Sequence, residues 1–250
     1  MPRDGPRRSS ISWLTRRAPA TATGTAIATN AQRAIHFQIM PPVIPNVRRR
    51  HAGSLRWVDG ETMVGFGPKQ AWLAIRDGRP EAVVAALGLR DLGPVPWRNG
   101  IDLAYLTDDR LVLTPPLPGA GDATWLLVTG RWLLRADAKV DVAMLSATLA
   151  TEVQLFVTYR VSEIHRWERA VDGAPVRAFG YLGETGEVTT WWGDPDATET
   201  AIGLPATPDG DTDILVGEDD VMRLAGAWSV DPTALDGRPA AGPLRVAATP

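Results

Sequence analysis

The chain has 250 residues, 44% of them apolar and 22% charged, a length and composition that can bury a sizeable core and that match globular proteins. It contains no cysteine, which excludes disulfides, thiolate nucleophiles and cysteine-ligated zinc or iron–sulfur centres. The net charge of −3 is unevenly divided: residues 1–50 carry nine Arg against the single acid Asp4, a balance of +8, which leaves −11 on the remainder.

Residues 1–53 are rich in Pro, Ala, Thr and Arg and lack a sustained apolar period, so a disordered basic extension is expected there. Arg7-Arg8 resembles the start of a twin-arginine export signal, but no continuous apolar segment follows it. A basic arm that touches nucleic acid or acidic lipid is a second reading, since guanidinium groups attract both without specificity. The third, preferred reading is a dispensable extension translated from a wrongly assigned start, with Met40 or Met63 as the working one. No apolar run is long enough to span a bilayer, and the chain is read as a cytoplasmic protein. Basic charge comes from 24 Arg and only Lys69 and Lys139, which with the Ala and Pro usage suggests a high-GC bacterial coding bias.

From Ser54 the pattern becomes regular, and residues 54–235 are expected to form a single α+β domain. "KQAWLAIRDG" (69–78) reads as a strand and "RPEAVVAALGL" (79–89) as a helix opened by Pro80 and Glu81 and stopped by Gly88. Strands follow at "IDLAYLT" (101–107) and "RLVLTPP" (110–116), joined by a tight turn at Asp108-Asp109. Residues 124–135 form one long strand or two, and 137–152 a helix with Val140, Met144 and Ala147 at helical spacing. Four antiparallel strands come next: "VQLFVTYR", "SEIHRWERAV", "PVRAFGYL" and "EVTTWW". After an Asp-, Pro- and Gly-rich loop, "EDDVMRLAGAW" (218–228) forms a helix with acids at its positive end. Residues 236–250 are expected to be a disordered tail. The fold class is therefore α+β, an antiparallel meander packed with two to three helices, rather than a doubly wound nucleotide binder.

Asp172-Gly173 is a preferred pair for a two-residue type I′ turn, and it sets a register. An unbroken ladder from that turn places Glu163, His165, Trp167 and Arg169 on one face, opposite Leu182, Gly180, Ala178 and Val176. The other face then carries Ile164, Arg166, Glu168 and Ala170 opposite Tyr181, Phe179, Arg177 and Pro175. On it Glu168 meets Arg177 and Arg166 meets Phe179, an ion pair beside a cation–π contact. Arg166, Glu168, Arg177, Phe179 and Tyr181 are accordingly the candidate binding surface, because interfaces favour aromatic rings and Arg.

Familiar catalytic patterns are absent: there is no G-x-S-x-G elbow, no phosphate-binding G-x-x-x-x-G-K-[ST] loop and no H-E-x-x-H helix. The Gly65–Gly67 and Gly119–Gly121 pairs read as turns. His165 is the one histidine clear of the basic end, and Glu163, two residues away, is its candidate carboxylate partner in a hydrolase-type reading. Trp191-Trp192 is a candidate stacking platform for a sugar or other small ligand. Asp209, Asp211, Asp213 and Asp220 follow the spacing of a calcium loop, but Ile214 replaces the Gly such loops require and Asp220 the longer Glu. No metal or cofactor is therefore expected.

The segment "EVQLFVTYRVSEIHRWERAVDGAPVRAFGYLGETGEV", together with "EDDVMRLAGAWSVDP", resembles an uncharacterised family of bacterial proteins. In that family an aromatic, Arg-His and Trp-rich hairpin precedes a Gly-Glu turn and a short C-terminal helix. The resemblance implies a shared fold over about residues 55–235 and brings no activity. Small acidic α+β proteins include toxin-neutralising immunity proteins, an analogy of class alone. The expectation is a non-enzymatic interaction protein whose acidic domain engages a protein partner, a basic one being the natural complement, through an aromatic and arginine surface. A hydrolase built on His165 and a carbohydrate or small-ligand module are the alternatives.

Overall fold

The computed structural model describes residues 60–135, 138, 140–208 and 214–249. The basic extension, with Met40 and the Arg7-Arg8 pair, lies outside the described residues, as do Asp209, Asp211 and Asp213. In chain order the elements are β1 (Ala71–Arg76), α1 (Pro80–Ala86), β2 (Arg90–Val95), α2 (Trp97–Leu106), β3 (Arg110–Leu113), β4 (Leu117–Pro118) and β5 (Thr124–Thr129). Then come α3 (Val142–Leu149), β6 (Val153–Tyr159), β7 (Ile164–Val171), β8 (Ala174–Leu182), β9 (Glu187–Trp192), α4 (Ala197–Ala201), α5 (Glu218–Trp228) and β10 (Leu244–Ala248). All ten strands join one sheet in the order β2-β10-β3-β5-β1-β6-β7-β8-β9, with β4 added to β5. Every pairing is antiparallel.

The fold is α+β as the sequence indicates, with five α-helices among the described residues rather than two or three. Strand β1 runs through the middle and is buried on both sides. Trp72 and Ala74 point to a core formed with α2 and α5, whereas Ala71, Leu73 and Ile75 point to one formed with α1 and α3. A strand covered on both faces reads as a continuous apolar run, and AWLAI is one.

Three elements depart from the sequence reading. Residues 101–106 belong to helix α2, with Thr107 its C-cap, because Pro96 precedes the first turn and Trp97, Gly100, Ile101 and Ala104 are buried at helical spacing. Gly100 permits that helix to lie against the sheet, since a Cβ there would sit 2.7 Å from Leu244 Cδ1. Residues 124–135 split at Gly130 into β5 and a short 3₁₀ turn, Arg131–Leu134. Helix α3 is shorter than 137–152 and buries Val142, Leu145 and Ser146, leaving Met144 exposed.

The largest correction concerns the C-terminus. Instead of a disordered tail after residue 235, Leu244–Ala248 form β10, which lies between β2 and β3. Leu244, Ala247 and Ala248 are buried, and the ladder to β3 pairs Arg245 with Leu113 and Val246 with Val112. The Gly, Pro and Ala around it hide a short LRVAA strand that only a tertiary partner stabilises. Removing residues 236–250 would expose a strand edge inside the sheet and open the core beneath α2. We expect the truncated chain to lack a cooperative thermal transition by circular dichroism, and a sharp melt like that of the full chain would contradict this placement.

Candidate functional site

The β7–β8 hairpin turns at Asp172-Gly173 with positive φ at both residues (48° and 85°), as a type I′ turn requires. Val171 faces Ala174 and Ala170 faces Pro175, in line with the register read from the turn. The ladder then shifts at a β-bulge, so Arg169 faces Arg177, Trp167 faces Phe179 and His165 faces Tyr181. A shift of one residue exchanges the two faces of a strand. Arg177, Phe179 and Tyr181 therefore lie on the inner face with His165 and Trp167. Their exposures are 3%, 0% and 5%, which corrects their assignment to an accessible binding surface.

On this inner face Phe179 stacks on Trp167, with ring centroids 4.3 Å apart, and meets Trp191 edge-on at 5.8 Å. Arg177 lies 4.5 Å above the Trp191 ring and forms a buried ion pair with Glu199 of α4, Nε to Oε1 2.8 Å. Glu199 Oε1 also accepts the Trp167 indole N–H at 2.6 Å, and Oε2 accepts the backbone N–H of Asp196. Asp196 caps α4 in return and accepts the Trp228 indole N–H of α5 at 2.7 Å. The second arm of Arg177 donates to the carbonyls of Trp192 and Gly193 at the end of β9. The expected Glu168–Arg177 and Arg166–Phe179 pairs do not form, because bulge and burial direct these residues to opposite faces.

His165 is 2% exposed, and its ring Nδ1 lies 3.3 Å from the Thr158 hydroxyl. That hydroxyl donates to Glu218 Oε2 at 3.2 Å, and the same oxygen accepts the backbone N–H of Lys69. A hydroxyl that donates to the carboxylate can only accept from the ring, so His165 carries its proton on Nδ1 when neutral. Burial holds its pKa below the ordinary histidine range, against the opposing pull of Glu218, Glu163 and Asp220. Glu163 does not share the strand face with His165. It sits exposed in the preceding turn at φ 47°, where its carbonyl accepts the Gly183 N–H. The carboxylate linked to the ring comes from α5, and Thr158 and Glu218 are residues the sequence reading did not single out.

Between β6 and β9 the face of the sheet that continues from the α3 core carries Tyr159, Ile164 and Leu182 in one row, Val157, Arg166, Gly180 and Thr190 in the next, and Leu155, Glu168, Ala178 and Trp192 in the third; Leu155 is buried in that core and Gly180 is buried too, and the remainder is the outer face. Arg166 Nε donates to Glu168 Oε1 at 2.8 Å within this face. Trp191 and Trp192 are neighbours on one strand and point to opposite faces, so they form no common stacking platform. Trp191 is half-buried on the inner side, and Trp192 is 51% exposed on the outer side. Asp220, the last member of the calcium-like run, accepts the Gly217 N–H and pairs with Arg223, which makes it a helix cap. No cluster of three or more metal-ligating side chains lies among the described residues, and no helix among them is long and apolar enough to cross a membrane.

Comparison with protein-family models, with curated proteins and with solved structures found no match.

Two outcomes follow for the inner face. Glu199→Gln leaves the Arg177 charge buried without a counter-ion, a class of change that costs about 3–5 kcal/mol. Urea denaturation should report that loss, and the double variant Arg177→Met, Glu199→Met should recover most of it; equal instability of the two would sink the ion-pair account. Because the folded pKa of His165 lies below its unfolded value of about 6.5, the stability it contributes is complete above that pH and is lost as pH falls through the folded pKa. His165→Gln should flatten the fall in stability just below neutrality, and coincident wild-type and variant pH profiles would contradict it.

Proposed function

We propose that this chain is a non-enzymatic interaction protein that receives a protein partner on the outer face of β7–β9. The observation that carries the reading is Trp192: a tryptophan 51% exposed, on an edge strand whose end is fixed from beneath by Arg177. Trp is the residue type most enriched at binding hot spots, and a ring presented on a rigid backbone loses little entropy when it is covered. The floor beside it is Ala178, with Leu182 and Ile164 beyond and the Arg166–Glu168 pair in the middle. Of the surface first indicated by the sequence, Arg166 and Glu168 remain, while Phe179, Tyr181 and Arg177 support it from below.

The hydrolase reading is less well supported, since His165 and Thr158 are both buried side chains, closed off from an external substrate. A sugar platform is disfavoured by the divergence of Trp191 and Trp192.

The test places a photoreactive amino acid at Thr190 in the full chain and maps covalent adducts formed in lysate. A partner should be captured, and Trp192→Asp should weaken its binding by about 30-fold, the equivalent of a 2 kcal/mol hot spot. Leu92→Asp, on the opposite edge of the sheet, should leave it unchanged. Equal capture by the native chain and Trp192→Asp would remove the face from consideration.

A further inference from the structure

Accepting the proposed binding face, the structure also indicates how a partner is held there and what chemistry it has. A ten-stranded open sheet has two edges, and here they differ. The β2 edge is obstructed: Pro94 offers no N–H, Gly93 is at φ 93°, and Arg245 ties Asp91 and Glu81 together beside the strand. These are devices that stop another strand from adding. The β9 edge, Glu187-Val188-Thr189-Thr190-Trp191-Trp192, has no proline, no lysine and no second strand neighbour among the described residues. Its one irregularity is a bulge at Thr189, where the ladder to β8 passes from Gly180–Thr190 to Tyr181–Val188.

The charge around β9 is one-sided. Residues 178–222 contain eleven acids and not one Lys, Arg or His. Several of the acids are occupied internally, as Glu199, Asp196 and Asp220 are, but Glu184 and Glu187 at the β8–β9 turn and Asp194 just after Trp192 are exposed at the two ends of the edge strand. Among the described residues, the one basic group that reaches β9 from its neighbour is Arg177, which is buried and paired with Glu199.

We infer that β9 receives an extended, basic segment of a partner protein as an eleventh strand. The backbone ladder supplies the adhesion and alternate side chains the selectivity, the usual division in strand addition. A cation opposite Glu187 gains an ion pair, and one opposite Trp192 lies over an exposed indole, a cation–π contact. The strand is prepared for this, because Arg177 fixes its C-terminal carbonyls and Trp191 pins its inner side against Phe179.

The experiment uses the full chain with a synthetic peptide that alternates arginine and valine, a second that alternates glutamate and valine, and a third arginine–valine peptide N-methylated at every other residue. Binding is followed by tryptophan fluorescence, and backbone hydrogen exchange is read for residues 187–192. The expected result is saturable binding of the first peptide alone, with slowed exchange in β9. The double reversal Glu184→Lys, Glu187→Lys should weaken it by about tenfold with the melting temperature unchanged, as both side chains are exposed. Binding of the N-methylated peptide equal to that of the first, or binding without slowed exchange in β9, would reduce the interaction to unspecific charge attraction and overturn strand addition. So would an intramolecular cross-link that places the chain's own first fifty residues, with their nine Arg, on β9. A partner cross-linked through Thr190 in a Trp192-dependent manner, with β9 exchange unaffected, keeps the binding face and discards the added strand. Loss of both results discards the face as well.

Discussion

One additional residue in β8 decides the character of the whole β6–β9 half of the sheet. Without the bulge near Val176, the strong turn at Asp172-Gly173 would send Arg177 to the outer face and bring Val176 and Ala178 inward. Glu199 would then be a carboxylate 1% exposed with no counter-ion, held only by the N–H groups of Trp167 and Asp196. A buried ion pair adds little net stability compared with an apolar pair, but an unpaired buried charge is heavily penalised. The Arg177–Glu199 contact thus discriminates between two registers that the turn and the hydrophobic pattern allow. Three further elements depend on the outcome: the end of β9 through two carbonyls, α4 through Glu199, and α5 through Asp196 and the indole of Trp228.

The sequence makes legible what is local. The apolar run of β1, the turn at Asp172-Gly173, the alternation in β7 and the acid-led helix α5, whose bounds agree residue for residue, all follow from short-range pattern. What escapes is what tertiary contact decides. Strand β2 contains Gly93 and Pro94 and looks like a loop until β10 pairs with it. Strand β10 has only five residues and no turn partner, so nothing near it in the chain announces a strand. The bulge in β8 has no signature residue either, since Val176 would suit an unbroken strand just as well.

One local signal bears on the candidate site. Asp196-Ala197-Thr198-Glu199 is a legible capping-box spacing, an Asp followed three residues later by a Glu, and the structure contains the box with both bonds formed. That spacing by itself puts a short helix after β9 and singles out Glu199. It does not reveal the partner of Glu199, because Arg177 lies 22 residues away and on the wrong face of an unbroken hairpin.

The tryptophans among the described residues can be separated on the same grounds. Trp72, Trp97, Trp125 and Trp167 are among the largest fully buried side chains. The indole N–H groups of Trp97 and Trp125 are satisfied by the carbonyls of Gly242 and Ala120, and that of Trp167 by Glu199. These three rings need no role beyond packing, whereas the Trp72 N–H is buried without a hydrogen-bond partner. Gly180, opposite Arg166 in the ladder, has an internal reason too: a Cβ there would meet Thr189 Oγ1 at 2.6 Å, so the bulge in β9 requires its absence. Trp192 has no such account. It fills no core, and on an edge strand an exposed ring raises the hazard of unwanted pairing that Lys or Glu would lower. A large apolar group kept where folding gains least from it, on a strand that Arg177 holds in place, is the feature that internal packing leaves for binding to explain.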